Sequence, residues 1–427
     1  MYDIFSLPAM KFPAGFIWGS ATAGHQVEGD NVRSNWWELE RLGKVGTKSG
    51  KACNHYELYR EDVQLLKTLG HRAYRMSIEW SRLEPSEGRF DDGALDHYVD
   101  LLKLLKSAGI QTYVTLHHFT HPQWFEEKGG FMKLDNMPCF ERYINHAVPA
   151  IAQYVDYWNV INEFNLGSSE ERIVFKLNML RYHARGYHLI RNFSKAPVSS
   201  AHAFIHYFPY RFNDELDRTM TRLQDWRDNE FFFHAVRTGE VAFPFRDAVK
   251  IPELKGTADF WAVNYYTRHM VDGRLARLEG ERFDHKRLKM IPMNFYLEEM
   301  YPEGLIANIE RLADRPVHIT ENGCSCDDDR FRIVYIALHL SALHEAISRG
   351  ADVRAYLYWS LMDNYEWGSF VPRFGLVNVD FETFARAPKP SAAFYREIIE
   401  NNGLNPEIVR KHLKELPTLA SSCRTGV

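Results

Sequence analysis

Two glutamates, Glu163 and Glu321, stand where predicted strands end and carry the strongest chemical signal in the sequence. Glu163 directly follows the run Tyr157–Asn162, and Glu321 closes the run Val317–Glu321. Paired carboxyl groups across a polar cleft are suited to glycosidic bond cleavage, where one protonates the leaving oxygen and the other attacks the anomeric carbon or activates water. A distance of about 5–5.5 Å between the two carboxyl groups is typical of direct attack by the second carboxylate. A distance of about 6.5–9.5 Å leaves room for a water molecule to attack instead. The sequence leaves this choice open.

The elements that must bring these glutamates together form a repeating strand–helix pattern. Runs rich in β-branched and aromatic residues alternate with helical periodicity, which is typical of βα units around a parallel sheet. Helices are predicted over Asn54–Leu69 and Asp91–Ala108, each followed by glycine. The pattern predicts an α/β fold, a single (β/α)8 TIM barrel with elaborated βα loops over residues 1–427. The predicted strands are Phe16–Thr22, Ala73–Ile78, Thr112–His118, Tyr157–Asn162, Val198–Phe204, Phe260–Tyr266, Val317–Glu321 and Val353–Trp359.

Seven of these eight strands end in polar or aromatic groups suited to a polyhydroxylated ligand. In barrels of this kind the strand C-termini converge on one face, where the active site lies. We therefore expect these side chains to surround the two glutamates. Besides the glutamates they are Gln26, Arg75, His118, Asn162, Asn264, Tyr266 and Trp359.

Composition excludes several other classes of protein. The 427 residues carry 52 Lys+Arg against 56 Asp+Glu, with a pI near 6.6, so no basic excess indicates nucleic-acid binding. No apolar stretch approaches the roughly 20 residues of a membrane helix, and no secretory signal is visible. The five cysteines form no disulfide or zinc pattern. We expect a cytoplasmic protein with reduced thiols and no membrane insertion.

A histidine cluster raises the possibility of a metal site. His117, His118 and His121 include a spacing of four, which would suit ligation from a helix. The local sequence instead predicts a strand end followed by Pro122, so we expect no metal here.

The strand-end residues lie within longer motifs that, taken together, resemble glycoside hydrolase family 1. This is the family of retaining β-glucosidases, β-galactosidases and related β-glycosidases. Seven motifs occur in the family's order, and the resemblance extends from about residue 12 to residue 396. The matching segments are Phe16–Gly29, Tyr74–Arg82, Trp158–Glu163, Asn264–Thr267, His318–Gly323, Tyr358–Trp367 and Arg373–Leu376.

The resemblance implies a role for each residue of the site. Glu321 would be the nucleophile, kept charged and aimed by Arg75 and Tyr266, and Glu163 the acid/base, with a raised pKa. Asn162 would bind the sugar 2-hydroxyl, and Trp359 would support the sugar ring. The remaining substrate-binding residues would be Gln26, His118, Asn264, Glu366, Trp367 and Phe374. The implied reaction is exo-acting hydrolysis of terminal β-D-glucosides, and also of β-galactosides and β-fucosides. The substrates would be small glycosides or oligosaccharides, and no cofactor would be needed.

One segment departs from the family pattern. Residue 164 is Phe where relatives have Pro, and the segment Phe164–Ala196 is short and lacks a glycine- and proline-containing stretch. This region shapes the leaving-group side of the cleft. We hypothesise a more open side that accepts bulky or apolar leaving groups.

Three alternatives share the same scaffold. A 6-phosphoglycosidase is disfavoured because Glu366-Trp367 is retained and the following segment Gly368–Arg373 lacks a phosphate-binding lysine. A catalytically silent sugar-binding relative is disfavoured because both glutamates are present. A transglycosidase uses the same glutamates, so the sequence does not separate it from a hydrolase. Oligomeric state is not encoded in any recognisable motif.

Overall fold

Eight parallel strands form a closed barrel in the computed structural model, which describes residues 4–167, 170–274 and 299–417. Each strand pairs with its neighbour in chain order, and the eighth pairs with the first. The predicted barrel is confirmed, and all predicted strand ends lie within about two residues of the observed ones. The strands are β1 (Ile17–Ala21), β2 (Ala73–Ser77), β3 (Gln111–His117), β4 (Tyr157–Asn162), β5 (Val198–Ala203), β6 (Trp261–Asn264), β7 (Val317–Asn322) and β8 (Val353–Trp359).

Helices surround the barrel and occupy several of its loops. The longest, α8 and α12, follow β4 and β7, the strands that lead to the two glutamates. In chain order the helices are α1 (Gly24–Val27), α2 (Asn35–Arg41), α3 (His55–Thr68), α4 (Trp80–Leu83), α5 (Asp92–Ser107), α6 (Gln123–Glu127), α7 (Met137–Ile151), α8 (Glu170–Arg191), α9 (Glu215–Asp225), α10 (Phe231–Thr238), α11 (Glu303–Glu310), α12 (Asp329–Ser348), α13 (Pro390–Asn401) and α14 (Pro406–His412).

The two helices predicted from periodicity are confirmed as α3 and α5. The Asp91 side chain caps α5 by accepting from the Ala94 amide at 3.0 Å. Gly70 follows α3 with φ +72°, a conformation that ends a helix and favours glycine. Each helix buries one apolar face, as its spacing predicts.

The apolar core lies mainly between the strands and the surrounding helices, while small and aromatic side chains fill the barrel itself. At Gly19 on β1 a Cβ atom would lie 2.0 Å from the Ala73 carbonyl oxygen, so only glycine permits this approach of β1 to β2. Inside the barrel the Tyr113 hydroxyl lies 2.9 Å from His318 Nδ1. The side chains below the site therefore form a packed floor rather than a channel.

Short strand pairs complete the molecule outside the barrel. They are Met10–Lys11 with Gly403–Leu404, His206–Pro209 with Arg268–Val271, Glu240–Val241 with Val249–Lys250, and Val377–Val379 with Arg386–Pro388. Over the described ranges, no helix combines the length and the apolar character that a membrane span requires.

Candidate active site

A cavity of about 380 Å³ opens at the C-terminal ends of the barrel strands. Every residue predicted for the site lines it except Arg75, which lies directly behind the wall on β2. The lining residues from the prediction are Gln26, His118, Asn162, Glu163, Asn264, Tyr266, Glu321, Trp359, Glu366, Trp367 and Phe374. The barrel thus brings Glu163, just after β4, and Glu321, on β7, to one cavity.

Glu321 is held by two strong donors. The buried Arg75 guanidinium forms an ion pair with Oε1, and the Tyr266 hydroxyl donates to Oε2 at 2.6 Å. Burial raises the pKa of Glu321, whereas the Arg75 charge and the Tyr266 hydroxyl act to lower it. These contacts favour the ionised form and fix the direction in which the carboxylate points.

Glu163 has a sparser environment. The Asn264 side-chain amide donates to Oε1 at 2.8 Å, and the Glu163 backbone N–H donates to the Ala201 carbonyl at 2.8 Å. Burial and the nearby Glu321 charge raise the pKa of Glu163 to about 8. At neutral pH this carboxyl group therefore keeps its proton, as a general acid must.

Two amides connect the surroundings of the two glutamates. Asn162 Oδ1 accepts from Arg75 at 2.6 Å and from the Asn264 amide at 3.1 Å. Its Nδ2 lies 3.3 Å from His118 Nε2, and burial keeps the pKa of His118 well below its usual value. This network fixes Asn162 on the cavity wall between the carboxyl groups.

A second hydrogen-bonded group lies beyond β8. Gln26 Nε2 donates to Glu366 Oε2 at 3.1 Å, and the Trp359 indole N–H donates to Glu366 Oε1 at 3.2 Å. Among the described residues no group hydrogen-bonds Gln26 Oε1, which is buried. A sugar hydroxyl is the kind of donor that would satisfy this oxygen.

Burial raises the pKa of Glu366 to about 8. The third carboxyl group of the cavity is therefore neutral at pH 7, and it adds no negative charge beside Glu321. As an uncharged carboxyl it has both a donor and an acceptor for hydroxyl groups.

Aromatic rings form the remaining walls. Trp359 and His118 lie nearly parallel at 6.1 Å, and Tyr266 meets Phe374 edge-on at 6.2 Å. Trp367 stacks on His25 with an interplanar angle of 5°. Flat apolar faces beside hydroxyl-binding groups are suited to the two faces of a sugar ring.

Sequence reasoning missed the apolar and small residues of the wall. β5 ends in Ala203 and is followed by Phe204, so a search for polar strand ends overlooked the lining residues Ala203, Phe204 and Ile205. Their position at a strand end was the available signal. The other unpredicted lining residues are Phe119, Leu166, Thr267 and His269.

The strand end predicted at the histidine cluster is confirmed. β3 ends at His117, and His118 and His121 lie in the following loop rather than on one helix face. In the part of the chain that the structure describes, no three His, Cys, Asp or Glu side chains are arranged to hold a metal ion.

The fold and the site define a barrel glycoside hydrolase, and comparison with known proteins identifies its family. The model for "Glycosyl hydrolase family 1" matches residues 9–404, so the chain belongs to this family, as its motifs predicted. A solved β-glycosidase from Pyrococcus horikoshii is 36% identical, with TM-score 0.84, covering 95% of this chain and 98% of that one.

Two further relatives support the same assignment. "Thermostable beta-glucosidase B" from Thermobispora bispora is 31% identical over 92% of each chain. A β-glucosidase from Thermotoga maritima, solved in complex with glucoimidazole, is 28% identical with TM-score 0.84. It covers 92% of this chain and 100% of its own. The similarity therefore spans nearly all of this chain and nearly all of each relative.

Proposed function

We propose that this chain is a retaining, exo-acting β-glycosidase that hydrolyses terminal β-D-glucosides, and also β-galactosides and β-fucosides. The observation that carries the proposal is the contrast between the two glutamates of one cavity. Glu321 is paired with a guanidinium and a phenol, whereas Glu163 has a pKa raised to about 8. One is equipped as a nucleophile and the other as an acid.

In the first step the ionised Glu321 attacks the anomeric carbon and the glycosidic C–O bond breaks. Glu163 gives its proton to the departing oxygen, so the aglycone leaves as a neutral alcohol. The sugar remains as an ester of Glu321, with its anomeric configuration inverted. Asn162 Nδ2, on the wall between the glutamates, donates toward the 2-hydroxyl as positive charge develops on the ring.

In the second step Glu163, now ionised, takes a proton from water. The resulting nucleophile displaces Glu321 from the anomeric carbon, and a second inversion restores the original configuration. Glu163 ends the cycle protonated and Glu321 ends it ionised. The balance between water and another sugar as acceptor decides between hydrolysis and transglycosylation.

The cavity supports removal of single, uncharged sugars. Its volume of about 380 Å³ suits one sugar ring with part of a leaving group. No lysine or arginine is among its described lining residues, and Arg75 behind the wall is paired with Glu321. A phosphorylated sugar would therefore find no free cation among these residues to bind its phosphate, which disfavours the phosphoglycosidase alternative.

The decisive experiment uses wild type and Glu321→Ala on p-nitrophenyl β-D-glucoside, β-galactoside, β-fucoside and β-glucoside-6-phosphate. We expect wild type to hydrolyse the three uncharged substrates and Glu321→Ala to lose roughly 10⁴-fold or more in kcat. Azide should partly restore the variant and give the α-glycosyl azide. A β-configured azide product would contradict the assigned nucleophile, and turnover of the phosphorylated substrate alone would overturn the substrate class.

We further propose that residues 1–427 form one domain and that the protein resides in the cytoplasm. Pairing of Met10–Lys11 with Gly403–Leu404, and the 2.8 Å bond from Trp18 Nε1 to Asn402, support the first proposal. Four described cysteines, Cys53, Cys139, Cys324 and Cys326, are unpaired thiols, which supports a reducing compartment. Limited proteolysis tests the single domain, because separate domains would leave stable smaller fragments. Localisation of a tagged chain tests residence in the cytoplasm.

A further inference from the structure

The backbone of Glu163 has a conformation that a glutamate rarely adopts. Its φ angle is +47°, in the left-handed region, where the Cβ atom of any residue other than glycine is crowded. Strand β4 has just ended at Asn162, and Glu163 begins a turn in which the Leu166 N–H donates to the Glu163 carbonyl at 3.3 Å. Such a conformation persists only where surrounding contacts determine it. The contacts that hold this turn therefore also place the Glu163 carboxyl group in the cavity that it shares with Glu321, which we call the sugar cavity.

The side chain of Asn165, within this turn, is buried and hydrogen-bonded to two other segments of backbone. Asn165 Nδ2 donates to the carbonyl groups of Ala203 at 2.8 Å and Asp228 at 2.9 Å, and the Ala203 N–H donates to Asn165 Oδ1 at 3.2 Å. The side-chain amide thus serves Ala203 as donor and acceptor, in the place of a backbone partner. It continues the attachment of the β4 segment to β5 beyond the last residue of β4.

The same end of β5 also holds Asn264, the residue that donates to the Glu163 carboxyl group. The Phe204 N–H donates to the Asn264 carbonyl at 2.9 Å, and the Asn264 amide reaches Glu163 Oε1 at 2.8 Å. Asn165 bonds to Ala203, which directly precedes Phe204. One short segment therefore connects the Glu163 turn with the donor to the Glu163 carboxyl group.

The second anchor of Asn165 is Asp228, which lies in the five-residue π-helix Trp226–Glu230. The Asp228 carboxylate accepts from the Lys176 ammonium at 2.7 Å and from the Tyr207 hydroxyl at 2.6 Å, and Lys176 is completely buried. A buried ion pair is costly to separate, because either charge alone would be left without its partner. The Asp228 carbonyl is therefore a fixed acceptor for the Asn165 amide.

We propose that Asn165 is a positioning residue for the acid Glu163: its amide holds the left-handed turn in which the carboxyl group faces the glycosidic oxygen. This inference rests on the proposed function and deepens it. The neighbouring Phe164 contributes apolar packing, its ring meeting Phe231 and Phe232 edge-on. Residue 164 also lacks the fixed φ of the proline that relatives have there. The hydrogen bonds that restrain the turn therefore come from Asn165.

Two substrates that differ in their need for an acid test this role. Asn165→Leu keeps the approximate volume of the side chain and removes its hydrogen bonds. We expect kcat/KM for phenyl β-D-glucoside to fall roughly 30-fold, because a displaced Glu163 delivers its proton poorly. For 2,4-dinitrophenyl β-D-glucoside, whose leaving group needs no proton, the loss should stay below about threefold. Equal losses for the two substrates would show a general structural defect and overturn the inference.

Asn178 on α8 provides a matched control. It is also buried, and its Nδ2 donates to the carbonyl groups of Phe131 at 3.1 Å and Met132 at 2.8 Å, but it does not line the sugar cavity. Asn178→Leu should leave the ratio of the two kcat/KM values as in wild type. The same change of ratio in Asn178→Leu and Asn165→Leu would overturn the inference, because any buried amide would then have the effect. Thermal unfolding confirms that each variant is folded, and Asn165→Ala is measured beside Asn165→Leu as a second, smaller replacement.

A crystal structure of the Asn165 variant decides the inference without turnover. We expect the Glu163 carboxyl group to lie beyond hydrogen-bonding distance of the Asn264 amide, and an unchanged Glu163 would overturn the inference. Wild type and Glu163→Ala are assayed with the same two substrates. Failure of wild type to hydrolyse either glucoside would contradict the proposed function, whereas the crystal structure would still decide whether Asn165 positions Glu163.

Discussion

The two sides of the sugar cavity differ sharply in how many donors they direct at a carboxyl group. On the β7 side, Glu321 receives the Arg75 guanidinium and the Tyr266 hydroxyl. On the β4 side, the Glu163 carboxyl group receives one side-chain donor, the Asn264 amide. Identical side chains thus differ in how readily they ionise, because hydrogen-bond donors stabilise the charged carboxylate and a scarcity of donors favours the protonated form.

The difference also separates the two halves of the substrate. The donor-rich side and the Gln26–Glu366 pair surround the space for the sugar, whose hydroxyls need partners. Next to Glu163 the wall is apolar, because Leu166, whose backbone N–H donates to the Glu163 carbonyl, lines the cavity. The polarity of the wall therefore changes at Glu163, the acid of the proposed mechanism.

The largest effect is expected from a variant that removes the Glu163 carboxyl group alone. In Glu163→Ala, kcat/KM for phenyl β-D-glucoside should fall roughly 10³- to 10⁴-fold, because the phenolate must leave without a proton. For 2,4-dinitrophenyl β-D-glucoside the loss should stay below about tenfold, since this leaving group needs no proton. Steady-state kinetics with both substrates measures the contrast.

The matching variant on the other side serves as the control for this experiment. In Glu321→Ala, kcat/KM should fall equally for both substrates, because hydrolysis of both requires the nucleophile. An equal loss for the two substrates in Glu163→Ala would contradict its role as the acid.

An intermediate effect is expected from a variant that removes one hydrogen-bond donor from Glu321. Tyr266→Phe removes the donor to Glu321 Oε2, so the ionised carboxylate is less stabilised and its pKa rises. The acid limb of the kcat/KM profile should move up by about one pH unit, with an activity loss of about tenfold at neutral pH. The alkaline limb, set by deprotonation of Glu163 near pH 8, should stay in place. If the alkaline limb moved instead, the roles of acid and nucleophile assigned to Glu163 and Glu321 would have to be exchanged.

The smallest effect concerns stability. The pKa of Glu163 is about 8 in the folded chain and about 4.3 in an unfolded one, so between these values only the folded chain holds the proton. Wild-type stability must therefore decrease as pH rises through this window. Glu163→Gln avoids that loss, and because the side chain is half-buried we expect a gain of about 1–2 kcal/mol at pH 7 and none at pH 4.5.

Denaturant unfolding of wild type and Glu163→Gln at the two pH values measures this gain. Glu321→Gln tests the opposite side, because it leaves the buried Arg75 without its ion-pair partner. That variant should be less stable than wild type at pH 7. A pH-independent difference between wild type and Glu163→Gln would contradict the raised pKa.

The strands and two helices were predictable because each depends on a local pattern. Burial on both faces makes a barrel strand a short apolar run, and a helix such as α5 shows its apolar face at regular spacing. Strand β6 is shorter than predicted, ending at Asn264 rather than Tyr266. The cause is tertiary, since beyond Asn264 the Tyr265 amide bonds to the Glu321 carbonyl and the Tyr266 hydroxyl reaches the Glu321 carboxylate.

The apolar part of the site was not predictable in the same way. A polar strand end stands out in a sequence, whereas Phe204 at the end of β5 looks like any core residue. The wall of the sugar cavity combines residues from the segments that follow β3, β4, β5, β6 and β8, and these segments meet only in the fold. The sequence indicated an unusual leaving-group side through Phe164, but not its shape.

The sequence by itself determined which chemical groups are available and, through the order of its strands, that they share one face of a barrel. Only the tertiary structure decided the environment of each group. Glu163 and Glu321 have the same ordinary pKa, and their difference arises from burial, from each other, from Arg75 on β2, and from Tyr266 just beyond the end of β6. Desolvation and charge–charge interactions depend on distances in space, and those distances exist only once the barrel has closed.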